Sequence, residues 1–96
     1  MTTSVNRNDE RSRYELLIDG TMQGFVNFAM QAGDPPVVHI SHAEVAADLR
    51  GKGISEPMVR AALDDVRSQG ALVVSTCGYV SALLDRFGEY ADLIQR

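Results

Sequence analysis

The sequence lacks residue types and segments that several common classes of protein require. Among its 96 residues there are one cysteine, Cys77, one lysine, Lys52, and no tryptophan. A single cysteine excludes an internal disulfide and a multi-cysteine zinc or iron–sulfur site. No apolar run approaches the roughly 20 residues of a membrane-spanning helix, and the polar first residues lack the apolar core of a signal peptide. We therefore expect a cytoplasmic protein with no membrane partner.

Positive charge is also scarce. Nine Lys and Arg residues against 13 Asp and Glu residues give a formal net charge of -4. A protein that makes many phosphate contacts with nucleic acid normally shows the opposite balance, so we expect no nucleic-acid partner. The hydrophobic content of 45% and charged content of 23% are typical of a soluble globular domain, and this length suffices for one core.

The N-terminal residues differ in composition from the rest of the chain. Residues 1–12 contain one large apolar residue, Val5, among charged and small polar groups. Such a segment buries too little apolar surface to offset the entropy lost on ordering. The sequence therefore predicts a flexible tail over residues 1–12 and a single domain over residues 13–96.

Three β-type runs follow the predicted tail. Tyr14–Asp19 and Phe25–Met30 are separated by Asp19-Gly20, which is a strong hairpin signal. A Gly- and Pro-containing turn at residues 32–36 precedes Val37–Val45, the third run. Short connections between successive strands predict an antiparallel meander.

The second half of the chain has a helical pattern and one more strand. Apolar residues recur every three to five positions over Ser55–Gln69, with Pro57 in the first turn and Gly70 after the last. The apolar run 71–76 predicts a buried strand parallel to the third run, and residues 79–94 predict two short helices. The fold class is therefore α/β, an antiparallel meander followed by a βαβ unit with one long amphipathic helix and a short helical C-terminus.

The stretch from Asp48 to Ser55 is the most informative part of the sequence. Gly51 and Gly53 flank Lys52 between a predicted strand and a predicted helix. Glycines let backbone amides approach a ligand closely, and a helix start adds roughly half a positive charge, so this loop suits a phosphate. Its spacing matches neither a Walker loop nor a dinucleotide-binding fingerprint. The alternative is that the glycines only turn the chain and that Lys52 is a solvated charge.

Cys77 lies where the last predicted strand meets a helix that begins near Val80. A thiol at a helix start loses its proton more readily than a free cysteine, which would make Cys77 a nucleophile. The alternative is a small, buried packing residue. Tyr79 follows two residues later and, from its position alone, is either a packing residue with a solvated edge or a hydroxyl available for chemistry.

The two histidines lie on the third predicted strand. His39 and His42 are three residues apart, which places them on opposite faces of a regular strand, so we expect no metal site. His42 and Glu44 are two residues apart and share a face. They are candidates for accepting a proton in catalysis, with a purely structural pair as the alternative.

The loop between strand and helix resembles the acetyl-CoA loop of the GCN5-related N-acetyltransferases (GNAT). That loop has the pattern Gln or Arg, two residues, Gly, one residue, and Gly or Ala. Arg50 and Gly53 match it, and Ser55 stands where Gly or Ala is usual. The resemblance is to the small, single-domain branch described as YjdJ-like, and its segments are residues 16–20, 40–45, 49–55, 76–80 and 89–93.

The resemblance implies a GNAT-like minimal fold that transfers an acetyl group from acetyl-CoA to an amine on a small molecule or a protein. It implies a catalytic set of Cys77, His42 and Glu44, with transfer either direct or through an acylated Cys77. It leaves open whether the Tyr79 hydroxyl protonates the departing coenzyme A thiolate, as a tyrosine does in many larger members of the superfamily. The cofactor-binding set that it implies is Val45, Arg50, Gly51, Lys52, Gly53, Ile54 and Ser55. The alternative function is a non-catalytic coenzyme A, acyl-CoA or protein-interaction module, and we expect a monomer or weak homodimer.

Overall fold

Five strands form one sheet in the computed structural model, which describes residues 2–95. The spatial order of the strands is their order along the chain. The elements are β1 (Thr3–Asn8), β2 (Arg13–Ile18), β3 (Thr21–Gln31), β4 (Val37–Val45), α1 (Ser55–Ser68), β5 (Leu72–Ser75) and α2 (Gly78–Arg86), with 3₁₀ helices at Ala47–Leu49 and Gly88–Leu93.

The predicted meander and βαβ unit are both confirmed. Strands β2, β3 and β4 pair antiparallel, and β4 pairs parallel with β5 after α1 crosses the sheet. The hairpin between β2 and β3 turns at Asp19 and Gly20, whose φ angles are 51° and 83°. Both angles are positive, as the favoured two-residue hairpin turn requires, so the Asp-Gly signal was decisive there.

The prediction of a tail over residues 1–12 is wrong for most of that segment. Thr3–Asn8 form β1, which pairs antiparallel with β2 from Thr3 opposite Ile18 to Asn8 opposite Arg13. The prediction counted apolar side chains, whereas an edge strand gains its order from backbone hydrogen bonds to its neighbour. Val5 also packs against the core, so β1 makes an apolar contact in addition to its backbone hydrogen bonds.

The core lies on one face of the sheet. Alternate residues of β2, β3 and β4 point toward α1 and α2 and are buried there together with the apolar faces of both helices. Gly24 on β3 gives α1 room to approach, since a Cβ at this position would lie 2.9 Å from the Glu44 carbonyl oxygen and 3.0 Å from Met58 Sδ. The opposite face of the sheet is the more exposed one, although most of its β2 and β3 residues are half-buried.

A β-bulge interrupts β4 in its middle. Asn27 pairs with His42 and Phe28 pairs with Ile40, which leaves Ser41 without a partner on β3. His39 pairs with Ala29, which shares a strand face with Asn27, so His39 and His42 both lie on the exposed face. The prediction that they lie on opposite faces is wrong, because it assumed a regular strand.

Candidate functional site

Strands β4 and β5 diverge halfway along β4 and leave a fork in the sheet. Their pairing ends at Ile40 opposite Ser75, and the Thr76 amide donates the last hydrogen bond across the gap to the Ile40 carbonyl, at 2.9 Å. Beyond this point β4 continues to Val45 with no strand on its β5 side in the part of the chain described. Backbone groups of β4 along this edge are therefore available to a ligand.

A cleft of about 240 Å³ occupies the fork. One wall is the second half of β4, and the others come from the loop before α1, the start of α1 and the start of α2. Its lining residues are His42, Ala43, Glu44, Val45, Arg50, Ser55 and Tyr79. Five residues of the predicted set, namely His42, Glu44, Val45, Arg50 and Ser55, thus meet in one cleft.

The loop before α1 provides backbone amides at the mouth of the cleft. Gly51 and Gly53 have φ angles of 80° and 74°, a region that side-chain-bearing residues rarely adopt, and nothing lies within 4 Å of where their Cβ atoms would be. Ile54 caps α1 without any side-chain hydrogen bond. The first amides of α1 therefore have no partner from a capping side chain, and they carry the positive end of the helix dipole.

Tyr79 and Ser55 join the two helices across the cleft. Their hydroxyl oxygens are 2.7 Å apart, so one donates a hydrogen bond to the other. The Tyr79 side chain belongs to the first turn of α2, and the residue is 41% exposed. This contact places the Tyr79 hydroxyl on the wall of the cleft that faces β4. Sequence reasoning left the role of Tyr79 undecided because the contact depends on how α2 packs beside α1.

Three ionisable side chains, two from β4 and one from the loop before α1, lie together at the cleft. Glu44 Oε1 lies 3.6 Å from His42 Nε2 and 3.9 Å from an Arg50 guanidinium nitrogen. These separations are too long for hydrogen bonds but close enough for electrostatic attraction. Arg50 Nε also donates a hydrogen bond of 3.4 Å to the Val45 carbonyl, which ties the loop to the end of β4. All three side chains are about half exposed, so their attraction is partly screened by solvent.

Cys77 stands apart from the cleft. It precedes α2, as predicted, but it is 8% exposed and belongs to the hydrophobic core. It is not among the residues that line the cleft. The structure therefore places His42 and Glu44 in the cleft beside the loop before α1, whereas Cys77 is buried in the hydrophobic core.

Residues 2–95 contain no group of three or more His, Cys, Asp or Glu side chains arranged to hold a metal ion. Within the same part of the chain, every helix is too short or too polar to cross a membrane.

Comparison with known families identifies the class of protein to which this fold and cleft belong. Residues 13–93 match the model of the GCN5-related N-acetyl-transferase family. The chain therefore belongs to that family, and the expectation drawn from the Arg50–Ser55 loop is confirmed at the level of the family. A search of curated proteins gave no match.

Solved structures share the fold at low sequence identity. A GCN5-like protein from Staphylococcus aureus superposes with a TM-score of 0.71 at 13% identity, covering 96% of this chain and 87% of its own. A ribosomal-protein-alanine N-acetyltransferase from Brucella melitensis gives 0.65 at 20% identity, covering 78% of this chain. An aminoglycoside acetyltransferase from an uncultured soil sample gives 0.63 at 15% identity, covering 88% of this chain. This chain spans 59% of the length of each of the last two.

Proposed function

We propose that this protein transfers an acetyl group from acetyl-CoA to an amine and that the reaction takes place in the fork between β4 and β5. The proposal rests on one observation. In a chain of the GCN5-related N-acetyl-transferase family, the fork adjoins the loop before α1 and the start of α1, which has no side-chain cap. We assign it to the small, YjdJ-like branch, because its segments from residue 16 to residue 93 resemble that branch. We further propose that the protein acts in the cytoplasm as a monomer or weak homodimer.

The residues at the fork fit coenzyme A. The amides of Gly53, Ile54 and Ser55 and the side chains of Arg50 and Lys52 would hold the pyrophosphate, because free amides and cations at a helix start favour anions. The unpaired edge of β4 from Ser41 to Val45 would hydrogen-bond the pantetheine arm, as a further strand would. Acetyl-CoA, when bound, supplies an activated thioester carbon to the acceptor amine.

His42 and Tyr79 would manage protons on the two sides of the cleft. We assign His42 as the group that takes a proton from the attacking amine, since neutral imidazole accepts protons near pH 7. Glu44, 3.6 Å away, would stabilise the positive charge that His42 then carries. Tyr79 would hold a proton on its hydroxyl oxygen for the departing sulfur, with Ser55 Oγ fixing the direction of that hydroxyl from 2.7 Å.

Of the two routes predicted from the sequence, we propose direct transfer. An acylated Cys77 would need its thiol at the cleft, whereas the residue is 8% exposed and packs in the core. Direct attack requires only that amine and thioester are held together, which removes much of the entropic barrier without a covalent intermediate. Cys77 then acts as a packing residue beside the fork.

The acceptor is an amine. Two structural neighbours are named for amine acceptors, a ribosomal-protein alanine in one case and aminoglycosides in the other. The net charge of -4 favours the approach of cationic amines. We therefore propose a positively charged small molecule or protein amine.

Release of free thiol from acetyl-CoA tests this function. Purified protein is incubated with acetyl-CoA and a panel of polyamines, aminoglycosides and peptides with free N-termini or lysines, with amine-free reactions as controls. The proposal expects thiol release that depends on one class of amine, together with an acetylated product of the matching mass. Binding of acetyl-CoA without amine-dependent release anywhere in the panel would instead support the non-catalytic binding module.

A further inference from the structure

A second pocket, of about 150 Å³, adjoins the cleft in the fork, and we call it the side pocket. It lies where β3 begins and β4 ends, and Glu44 and Val45 line both it and the cleft. Its other lining residues are Met22, Gln23, Gly24, Phe25 and Ala46. The side pocket therefore has mainly apolar walls, with the Glu44 carboxylate on the side that it shares with the cleft.

A β-bulge in β3 forms the apolar wall of the side pocket. Gln23 has no partner on β2, whereas Met22 and Gly24 are paired on either side of it. This extra residue puts Met22 and Phe25, three residues apart in sequence, together on the outer face of the sheet. Met22 is 41% exposed, so its flexible thioether side chain is available to an apolar ligand.

Phe25 links the side pocket to His42. The centroids of the Phe25 and His42 rings lie 5.9 Å apart, with the rings tilted at 49°. Along β3, Met22 precedes Phe25 and Asn27 follows it, and Asn27 is the residue that pairs with His42. Phe25 itself pairs with Glu44. A carbon chain that lies along the Phe25 ring would therefore pass Glu44 and reach from the side pocket to His42.

The cations near this path are offset by carboxylates. The Arg13 guanidinium carbon is 5.5 Å from the Phe25 ring centroid, and Arg13 Nε is 2.7 Å from Glu15 Oε2. An Arg50 guanidinium nitrogen is 3.9 Å from Glu44 Oε1, which is too long for a hydrogen bond. Glu44 can therefore accept a hydrogen bond from an ammonium group without losing one that it already makes to Arg50.

We propose that the side pocket binds the carbon chain of an unbranched aliphatic primary amine, either a lysine side chain or an alkylamine, an inference that rests on the proposed function. The apolar walls would bury the methylene groups, Glu44 would attract the ammonium form, and His42 would stand at the nitrogen end of the chain. A volume of about 150 Å³ lies below the range of about 300 to 1,000 Å³ that is typical of sites for drug-sized ligands. A single chain therefore fits better than a multi-ring aminoglycoside. A polyamine would place a further cation against the apolar walls, which costs free energy.

Rates of thiol release from acetyl-CoA with a graded series of amines test this inference. The series runs from ethylamine to pentylamine, whose nitrogens differ little in basicity, and is compared with putrescine and an aminoglycoside. Nα-acetyllysine N-methylamide, whose side chain is a butylamine, distinguishes the two sources of the chain. A faster reaction than with butylamine assigns a peptide lysine, and a slower one assigns a free alkylamine.

Met22→Ser removes an apolar wall of the side pocket. The matched control is Met30→Ser, because Met30 is 45% exposed on the same strand and does not line the pocket. The Met22 substitution also removes a contact of 3.4 Å between Arg13 Nη2 and Met22 Sδ, but Arg13 keeps its ion pair with Glu15. Circular dichroism checks that both variants are folded.

The inference expects kcat/KM to rise about twofold to fourfold for each methylene added from ethylamine to pentylamine. Pentylamine should exceed both putrescine and the aminoglycoside. Met22→Ser should flatten the rise with chain length, and Met30→Ser should match the wild type. Rates that do not depend on chain length, that are highest with the aminoglycoside or putrescine, or that rise as steeply in Met22→Ser would overturn the inference and leave the proposed function standing. If no amine causes thiol release, the proposed function fails and this inference fails with it.

Discussion

Gly24 determines how closely α1 can approach the sheet. Any side chain at this position would meet the Glu44 carbonyl oxygen, Met58 Sδ and Val45 Cγ1 at 2.9 to 3.0 Å, and two of these atoms belong to β4 where it forms the cleft. The backbone oxygen cannot move without disturbing β4. The absence of a Cβ at Gly24 is therefore required both for the packing of the core and for the geometry of the cleft.

Gly24→Ala should lower the free energy of unfolding by about 1 to 3 kcal/mol, because extra volume in a packed core forces backbone shifts. The matched control is Gly88→Ala, where the added Cβ meets nothing within 4 Å and the glycine φ is ordinary. Denaturant unfolding of both variants measures the difference. An equal change in the two variants would show that Gly24 is not needed for close packing.

Cys77→Ala separates packing from covalent catalysis. Loss of a buried sulfur from the core should cost about 1 kcal/mol of stability, at the low end for large-to-small core substitutions. Transfer to an identified amine should continue at a rate within a few-fold of wild type, because the direct route does not use the thiol. Abolished transfer in a folded Cys77→Ala protein would restore the acyl-cysteine route.

Tyr14 links β2 to α1 through a side-chain hydrogen bond. Its hydroxyl donates a hydrogen bond of 2.6 Å to Asp65 Oδ2, which also accepts one of 2.8 Å from Gln69 and pairs with Arg7. Burial and the Asp65 carboxylate raise the pKa of Tyr14 well above its usual value near 10. The folded state therefore holds Tyr14 neutral at a pH where the unfolded chain has begun to ionise.

The stabilisation that neutral Tyr14 provides is therefore fully present below about pH 10, and the unfolding free energy should fall as pH rises above that value. Tyr14→Phe should remove about 1 to 2 kcal/mol at neutral pH, since the bond is to a charged group whose other partners remain. The variant should also lose stability less steeply above pH 10. Some slope should persist, because burial and the bond to Asp64 raise the pKa of Tyr90 as well. Identical slopes for Tyr14→Phe and wild type would contradict this account.

The elements differ in how far the sequence predicted them. Periodicity and turn residues located β4 and placed α1 within a residue of its observed end, because these elements bury a continuous apolar face. The strand β1 was missed because its order depends on pairing with β2. The bulge at Ser41 was missed because it exists only in the register between β3 and β4. Neither the pairing of β1 with β2 nor the register between β3 and β4 can be derived from the local sequence pattern.

The same limit applied to the candidate site. The position of the loop from Arg50 to Ser55 between strand and helix could be predicted, because two glycines and a helix start are local features, while its role in binding stays a prediction. Cys77 was placed correctly before α2, yet its burial results from the packing of α2 on the sheet, which spacing along the chain does not encode. The Ser55–Tyr79 contact likewise depends on two helices that are adjacent only in three dimensions.

At the scale of the whole molecule, the fork and the loop before α1 converge on the start of that helix. The fork supplies a free strand edge, and the loop supplies amides and two cations. A ligand that spans both would bury more surface than either one offers. The central claim is accordingly that coenzyme A binds at this end of α1.

Thermal unfolding with and without acetyl-CoA tests that claim most directly, in the wild type, Gly53→Glu and Gly70→Glu. Gly53 and Gly70 have φ angles of 74° and 68° and open space around the Cβ position, so glutamate strains both alike, but only Gly53 is in the loop. At about 100 times its dissociation constant, the ligand should add about 2.7 kcal/mol, a rise of several degrees, to the wild type and to Gly70→Glu. Gly53→Glu should show no rise. A folded wild type that does not respond, or a Gly53→Glu protein that responds fully, would contradict the account.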